Sequence, residues 1–376
     1  MNTIKRTLTQ ACVVLVIVLA LLAGVEITAR LGRDAKARLA SLIELTGDPL
    51  VLKQPWGRQL LSDQWRLRFR HESYVEFRET EMTSATVNVS GDGTRRVSET
   101  CRGPDQPRVI LLFGGSTMFG YGVPDQFTIP AYLAKEFNRS GDCVRLINYG
   151  SGWWQSSQSV TQLLKVLRSG VRPSAVVFYD GINEVDVVTF GGSPGGLAPG
   201  AEIALANAFQ DDMGWRKFIR DSIAVRAISR WVFGERIKSA VDLRLLEKAK
   251  IPETARSISQ VYVQNVRIVE ALAKEYGFVA HFFLQPHPLI AGKVNTEMED
   301  AVIKRRLNEL EGEADLIRAV YEEWRNDPYL KRLDRFRDIS RLFEGMTQEL
   351  YADTEHLLPE GNRLVAERMS RELALR

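Results

Sequence analysis

Cysteine and histidine are scarce in this chain, with three and four copies among 376 residues. Neither type is clustered: there is no CxxC and no HExxH, so the usual zinc frameworks are excluded and no metal site is expected. Nor is there an excess of charge of one sign. Fifty Lys and Arg stand against 47 Asp and Glu, a net charge of +3. No basic run carries interleaved aromatics, which argues against a nucleic-acid partner. No internal repeat and no cofactor fingerprint is visible.

One long apolar run is present. Leu8 to Val25 carries no charge, includes CVVLVIVLALLAGV, and follows Lys5 and Arg6. Its length suits a single membrane-spanning helix acting as a signal anchor, with a cleaved secretory signal as the rival. Arg30, Arg33, Lys36 and Arg38 flank the far end. Charge alone would therefore favour leaving the bulk of the chain on the cytoplasmic side.

Outside that run lie Cys101 and Cys143, each shortly before an expected strand. If those strands are parallel neighbours, both cysteines sit at one end of the sheet. A disulfide would then close a loop of about 40 residues and contribute roughly 4 kcal/mol in an oxidising compartment. Two unpaired thiols are the alternative.

Residues 31–107 read as a juxtamembrane linker and an irregular or β lead-in, with alternating stretches such as TSATVNVSG. From Arg108 onward strand and helix signals alternate. VILLF (Val109 to Phe113) is an apolar run ending in Gly-Gly, as a strand buried on both faces should be. A helix begins near Thr128 with Ile129, Leu133 and Phe137 on one stripe. Strands at Val144 to Asn148 and Ala175 to Tyr179 enclose a helix over Ser157 to Leu167. This β-α-β-α-β order implies a parallel, doubly wound sheet.

An insertion is expected at about 186–250, opened by the Gly/Pro-rich FGGSPGGLAPG and continued by an Arg-rich helical stretch. A helix striped by Ile258, Val261, Val269 and Leu272 and a strand over Phe278 to Leu284 then resume the core. Glu297 to Trp324 reads as a charged helical segment with a solvated face. A last helix follows Pro359.

Ligands gather at the carboxyl ends of strands in such sheets. Four segments deliver polar groups there. GGSTMFG (Gly114 to Gly120) places Ser116 in a tight turn that lacks the Lys-Ser/Thr of a phosphate loop and is not GxSxG. NYGSGWW (Asn148 to Trp154) offers backbone N–H groups. YDGINE (Tyr179 to Glu184) presents Asn183. YADTEHLLPEGN (Tyr351 to Asn362) sets Asp353 three residues before His356. Each alone is equally a structural turn.

Together and in this order, the four resemble blocks I, II, III and V of the SGNH (GDSL-like) hydrolases, over roughly Arg108 to the C terminus. The resemblance implies a three-layer α/β/α domain at 108–376 with a flavodoxin-like parallel sheet, preceded at 1–30 by the transmembrane helix. It implies Ser116 as nucleophile, His356 as base and Asp353 as its orienting acid. Oxyanion donors would be the Ser116 N–H, the Asn183 side chain and an amide of the second block, Gly152 with Gly150 and Trp153 as alternatives. Two departures stand out. Block I reads Gly-Gly-Ser where the family has Gly-Asp-Ser, and Trp153 holds the place of the usual block II glycine.

His287 in LQPHP is a rival base, and with Gln285 and Trp153 a candidate for substrate contact. Trp154 and Tyr179 also border the expected site. The activity implied is hydrolysis of a small acyl ester, probed first as an O-acetyl group on a cell-envelope or exported carbohydrate. The chain would be held in the inner membrane with its catalytic domain in the periplasm, beside polysaccharide machinery. The same residues would serve an O-acetyltransferase, a lipase or thioesterase, or a non-catalytic glycan-binding scaffold.

Overall fold

Arg108–Gly114 shows why the middle of this chain forms a sheet. Ile110 and Leu112 point to one face, Leu111 and Phe113 to the other, and all four are buried. Such a strand is stable only between two layers of helix. The computed structural model describes residues 49–98, 107–196, 248–309 and 312–373. These belong to one compact unit, Asp48–Leu205 with Ala240–Arg376; a second unit, Met1–Gly47 with Ala206–Ser239, falls outside the described residues.

Elements are numbered along the described residues. Short helices α1 (Pro49–Leu52) and α2 (Gly57–Arg66) precede an antiparallel hairpin of β1 (Phe69–Glu72) and β2 (Glu76–Glu79). The core then runs β3 (Arg108–Gly114), α3 (Ser116–Phe119), α4 (Ile129–Ser140), β4 (Val144–Asn148), α5 (Ser156–Arg168), β5 (Ala175–Asp180), α6 (Ile182–Thr189), α7 (Ile251–Tyr276), β6 (Val279–Leu284), α8 (Glu297–Glu309), α9 (Glu313–Asn326), β7 (Phe336–Asp338) and α10 (Pro359–Leu373).

The five strands β3 to β7 are all parallel, in the order β4-β3-β5-β6-β7. This is the flavodoxin-like order, whose switch point lies between β3 and β5. Residues of α5, α7 and α9 fill one face, including Leu163, Ile258, Tyr262 and Trp324. Residues of α4 and α10 fill the other, including Leu133, Phe137, Val365 and Met369. Thr128 caps α4, its Oγ1 accepting from the Ala131 N–H at 3.2 Å, and Pro130 sits in the first turn, where its missing N–H costs nothing.

Three expectations change. The stretch Glu297 to Trp324 is two helices, and α9 is no solvated face: Leu316, Ile317, Val320, Tyr321 and Trp324 are buried against α7. TSATVNVSG forms only isolated bridges, Met82 to Val89 and Val89 to Arg95, while the regular lead-in strands lie earlier, at β1 and β2. A fifth core strand, β7, is only three residues long, too short for an alternation signal.

Among the described residues no helix is long and apolar enough to cross a membrane. The span expected at Leu8 to Val25 and most of the expected insertion lie outside those residues. Cys143 is disulfide-bonded. Its expected partner Cys101 lies outside them as well.

Candidate active site

Block I is shaped by two glycines that cannot be replaced without collision. Gly114 has φ +152°, and a Cβ there would lie 2.4 Å from the Tyr179 carbonyl oxygen. A Cβ on Gly115 would lie 2.0 Å from Nδ2 of Asn183. The chain therefore passes close under β5 and turns Ser116 into the first position of α3. Arg95 from the lead-in fastens the segment just beyond α3: its guanidinium donates to the carbonyls of Phe119, Gly120 and Val123, and it pairs with Asp125 at 2.9 Å.

Ser116, His356 and Asp353 come together although the first and second are 240 residues apart. Ser116 Oγ lies 2.8 Å from His356 Nε2, and His356 Nδ1 lies 2.7 Å from Asp353 Oδ2. The other Asp353 oxygen accepts from the backbone N–H groups of Glu355 and His356, both at 2.7 Å. Burial pushes the Asp353 carboxyl upward, but the imidazole beside it and these donors outweigh burial and hold it below its ordinary value. An ionised Asp353 accepts a hydrogen bond from Nδ1–H, which leaves Nε2 as the acceptor for the Ser116 hydroxyl.

His287 does not reach this chain of bonds. It is 3% exposed, and its Nδ1 accepts from the Leu289 N–H at 3.2 Å. Burial and the nearby Arg306 charge depress it to about 3, so it stays neutral. Gln285 is equally buried, with its Oε1 accepting from Thr117 Oγ1 at 3.2 Å and its carbonyl from the Tyr321 hydroxyl. As candidates for substrate contact, Gln285 and His287 are both buried, and His287 lines a small cavity with Asp186, Arg306 and Glu355.

The oxyanion candidates separate by what their N–H groups already do. Gly150 N–H donates to Asn148 Oδ1 at 2.9 Å. Gly152 N–H donates to Glu79 Oε1 at 2.8 Å, so the preferred block II donor is engaged elsewhere. Trp153 N–H has no acceptor among the described residues, and Trp153 adopts φ +62°, the left-handed region that favours glycine. Asn183 Nδ2 donates to the Trp154 carbonyl at 2.7 Å, which uses one of its two hydrogens. Trp153 is also the most accessible ring of the site, 47% exposed, and packs edge-on against Phe190 at 5.5 Å. Trp154 and Tyr179 are fully buried.

Two groups escaped the sequence reading. Glu79 is one. The other is a set of charges behind the triad, where Arg306 lies 3.0 Å from Glu313, 3.5 Å from Asp186 and 3.9 Å from Glu355. Burial pushes Asp186 up to about 7 although Arg306 opposes it, and pushes Glu355 up as well. Glu355 sits inside the Asp-x-x-His motif, Arg306 lies in the charged segment expected to be a solvated face, and Asp186 stands at the start of the expected insertion. Among the described residues no group of His, Cys, Asp and Glu is placed to hold a metal ion.

No protein-family model matches the sequence, and no curated protein does. Solved structures do show likeness. A member of the lipolytic protein G-D-S-L family from Veillonella parvula is 12% identical with a TM-score of 0.39, over 72% of this chain and 100% of that one. A lipase/acylhydrolase from Enterococcus faecalis is 15% identical with a TM-score of 0.32, over 71% and 95%. The acetyl xylan esterase AlAXEase is 14% identical with a TM-score of 0.35, over 71% of this chain and 100% of that one.

Proposed function

We propose that this chain is a serine ester hydrolase of SGNH type that removes small acyl groups, O-acetyl foremost, from a carbohydrate. The observation that carries this reading is the unbroken chain from Ser116 Oγ through His356 to Asp353, with contacts of 2.8 and 2.7 Å. In it Ser116 Oγ attacks the ester carbonyl while His356 Nε2 takes its proton. Asp353 stabilises the imidazolium that forms. The oxyanion is met by the N–H groups of Ser116 and Trp153 and by the second Nδ2 hydrogen of Asn183. Each such donor is worth about 10²- to 10³-fold in turnover. His356 then returns the proton to the departing alcohol. Water repeats the sequence on the acyl-enzyme and releases the acid.

Support for a carbohydrate comes from Trp153, an exposed indole on the turn that supplies the proposed oxyanion N–H, since aromatic faces accept the apolar faces of sugar rings. Support for an extracytoplasmic, membrane-held enzyme comes from the uncharged run Leu8 to Val25, and from Cys143, which needs an oxidising compartment for its bond. On this reading its partner is Cys101.

The deciding test is labelling of the full-length chain with a fluorophosphonate probe, with Ser116→Ala as control. Labelling of wild type alone is expected, with turnover of a chromogenic acetyl ester. A chain that neither labels nor turns over would refute the reading. Adding an acceptor glycan to acetyl-enzyme then separates hydrolysis from transfer by the product formed.

A further inference from the structure

The turn Ser151 to Trp154 is held from outside the sheet, by three successive residues of the lead-in strand β2. The Phe77 carbonyl accepts from the Trp154 indole N–H at 3.0 Å. The Arg78 guanidinium lies over the Trp154 ring, 4.7 Å from its centre. Glu79, fully buried, accepts from both Ser151 Oγ at 2.7 Å and Gly152 N–H at 2.8 Å. Inside the sheet, the Ser151 N–H donates to the Gly114 carbonyl at 3.2 Å, two residues before the nucleophile. The turn is thus pinned between β2 and the start of the nucleophile loop.

That pinning bears directly on Trp153, the next residue after Gly152. Trp153 has φ +62°, a shape a bulky side chain adopts only when its surroundings enforce it. Without an acceptor for Gly152 N–H, the Ser151–Gly152 peptide would be free to rotate, and the flexible Gly152 would let the Trp153 N–H turn away from the oxyanion position assigned to it above.

We propose that Glu79 is a positioning residue for the reaction. By accepting from Ser151 Oγ and Gly152 N–H, it fixes the left-handed turn that aims the Trp153 N–H at the oxyanion. The lead-in hairpin is on this view part of the catalytic apparatus, contributed from outside the segment that resembles the hydrolase family. The inference rests on the serine-hydrolase reading above. It adds that transition-state stabilisation depends on a carboxyl group that never touches substrate.

The test uses the full-length chain and a chromogenic acetyl ester. Glu79→Leu keeps the volume and removes both acceptor atoms. It should lower kcat about 100-fold with KM changed less than about threefold, the signature of an interaction made only in the transition state. Fluorophosphonate labelling should slow in step. Glu79→Gln can turn its Oε1 to the Gly152 N–H and donate from Nε2 to Ser151 Oγ, so it should stay within about threefold of wild type. Should Glu79→Leu not fold, Ser151→Ala cuts one of the two ties while leaving Glu79 in place, with an expected loss of about three- to tenfold in kcat alone.

A folded Glu79→Leu with wild-type kcat would overturn the inference, as would a loss that appears in KM alone, a Gln variant as impaired as Leu, or, where Leu does not fold, an unchanged Ser151→Ala. All of these leave the hydrolase reading standing, because wild type still labels and turns over. An inert wild-type chain removes both.

Discussion

Asn183 Nδ2 occupies the space that a side chain on Gly115 would need: a Cβ there would approach it to 2.0 Å. The second glycine of Gly-Gly-Ser is therefore part of the site's construction. Asn183 reaches the Trp154 carbonyl past a residue 115 that has no side chain, and on the proposed reading its second hydrogen then serves the oxyanion. Gly115→Ala should push Asn183 aside and lower kcat by about 10²- to 10³-fold, the usual worth of one oxyanion donor. Asn183→Ala should fall as far, and the double variant little further, since both remove the same donor. Steady-state kinetics on an acetyl ester check this. Multiplying losses would mean that Gly115 acts some other way.

The choice between His356 and His287 gives a second prediction. His356→Ala removes the acceptor for the Ser116 proton and should lower kcat at least about 10³-fold. Asp353→Asn should cost on the order of 10⁴-fold by favouring the wrong tautomer, with the fold intact. His287→Ala should remain within about tenfold, because its ring accepts from the Leu289 N–H and forms no link in the chain from Ser116 to Asp353. It leaves a small buried void, so the loss should appear in the melting temperature. Kinetics and thermal melts on the same samples distinguish the two.

The contrast between these histidines shows what a sequence can and cannot carry. The parallel sheet was legible because β3, β5 and β6 are largely apolar runs ending in polar turns, a pattern set by burial on both faces, while β4 at the edge alternates. The contact of His356 with Asp353 was legible because the two are three residues apart before a helix, whereas its extension to Ser116, 240 residues away, came only from the resemblance of the four segments taken together. The oxyanion donor was not. Which of Gly150, Gly152 and Trp153 is free depends on Asn148 and Glu79 accepting from the first two, and the Glu79 contact joins segments 73 residues apart. Short weak strands such as β2 leave no periodicity, and a glutamate in one looks like surface until something buries it. In α9 the misreading had the opposite cause: Glu and Arg on one side of the helix masked the stripe Leu316, Val320 and Trp324 on the other.

On the proposed reading Trp153 combines a backbone role with a side-chain role, and substitution separates them. Trp153→Gly keeps the N–H and relieves the left-handed strain, which is worth about 1 kcal/mol where glycine replaces another residue at positive φ. A higher melting temperature and nearly unchanged kcat on a small aryl acetate are expected. The lost indole should instead raise KM for an acetylated oligosaccharide, by about tenfold if it stacks on a sugar ring. An equal effect on both substrates would argue that the ring serves only to pack against Phe190.

Acid stability supplies the last prediction. His281 lies in β6, is 7% exposed, and faces Phe283 at 6.5 Å. Burial depresses it first and the Arg335 charge adds to this, bringing it to about 4 against an ordinary value near 6.5. A depressed value means that the unfolded chain takes up a proton which the folded chain refuses. Stability is thus fully present above about pH 6.5 and is lost as pH falls toward 4, by at most about 1.4 kcal/mol per pH unit. His281→Phe removes this one linkage while filling the same space. Carboxylates titrate in wild type and variant alike, so the difference between their stability curves isolates the histidine. Between about pH 6.5 and 4.5 the variant should lose less stability than wild type in urea unfolding followed at several pH values. Parallel curves would mean that His281 takes up its proton in the folded state as readily as in the unfolded one, through an opening of the β6 edge that the buried packing of this strand does not show.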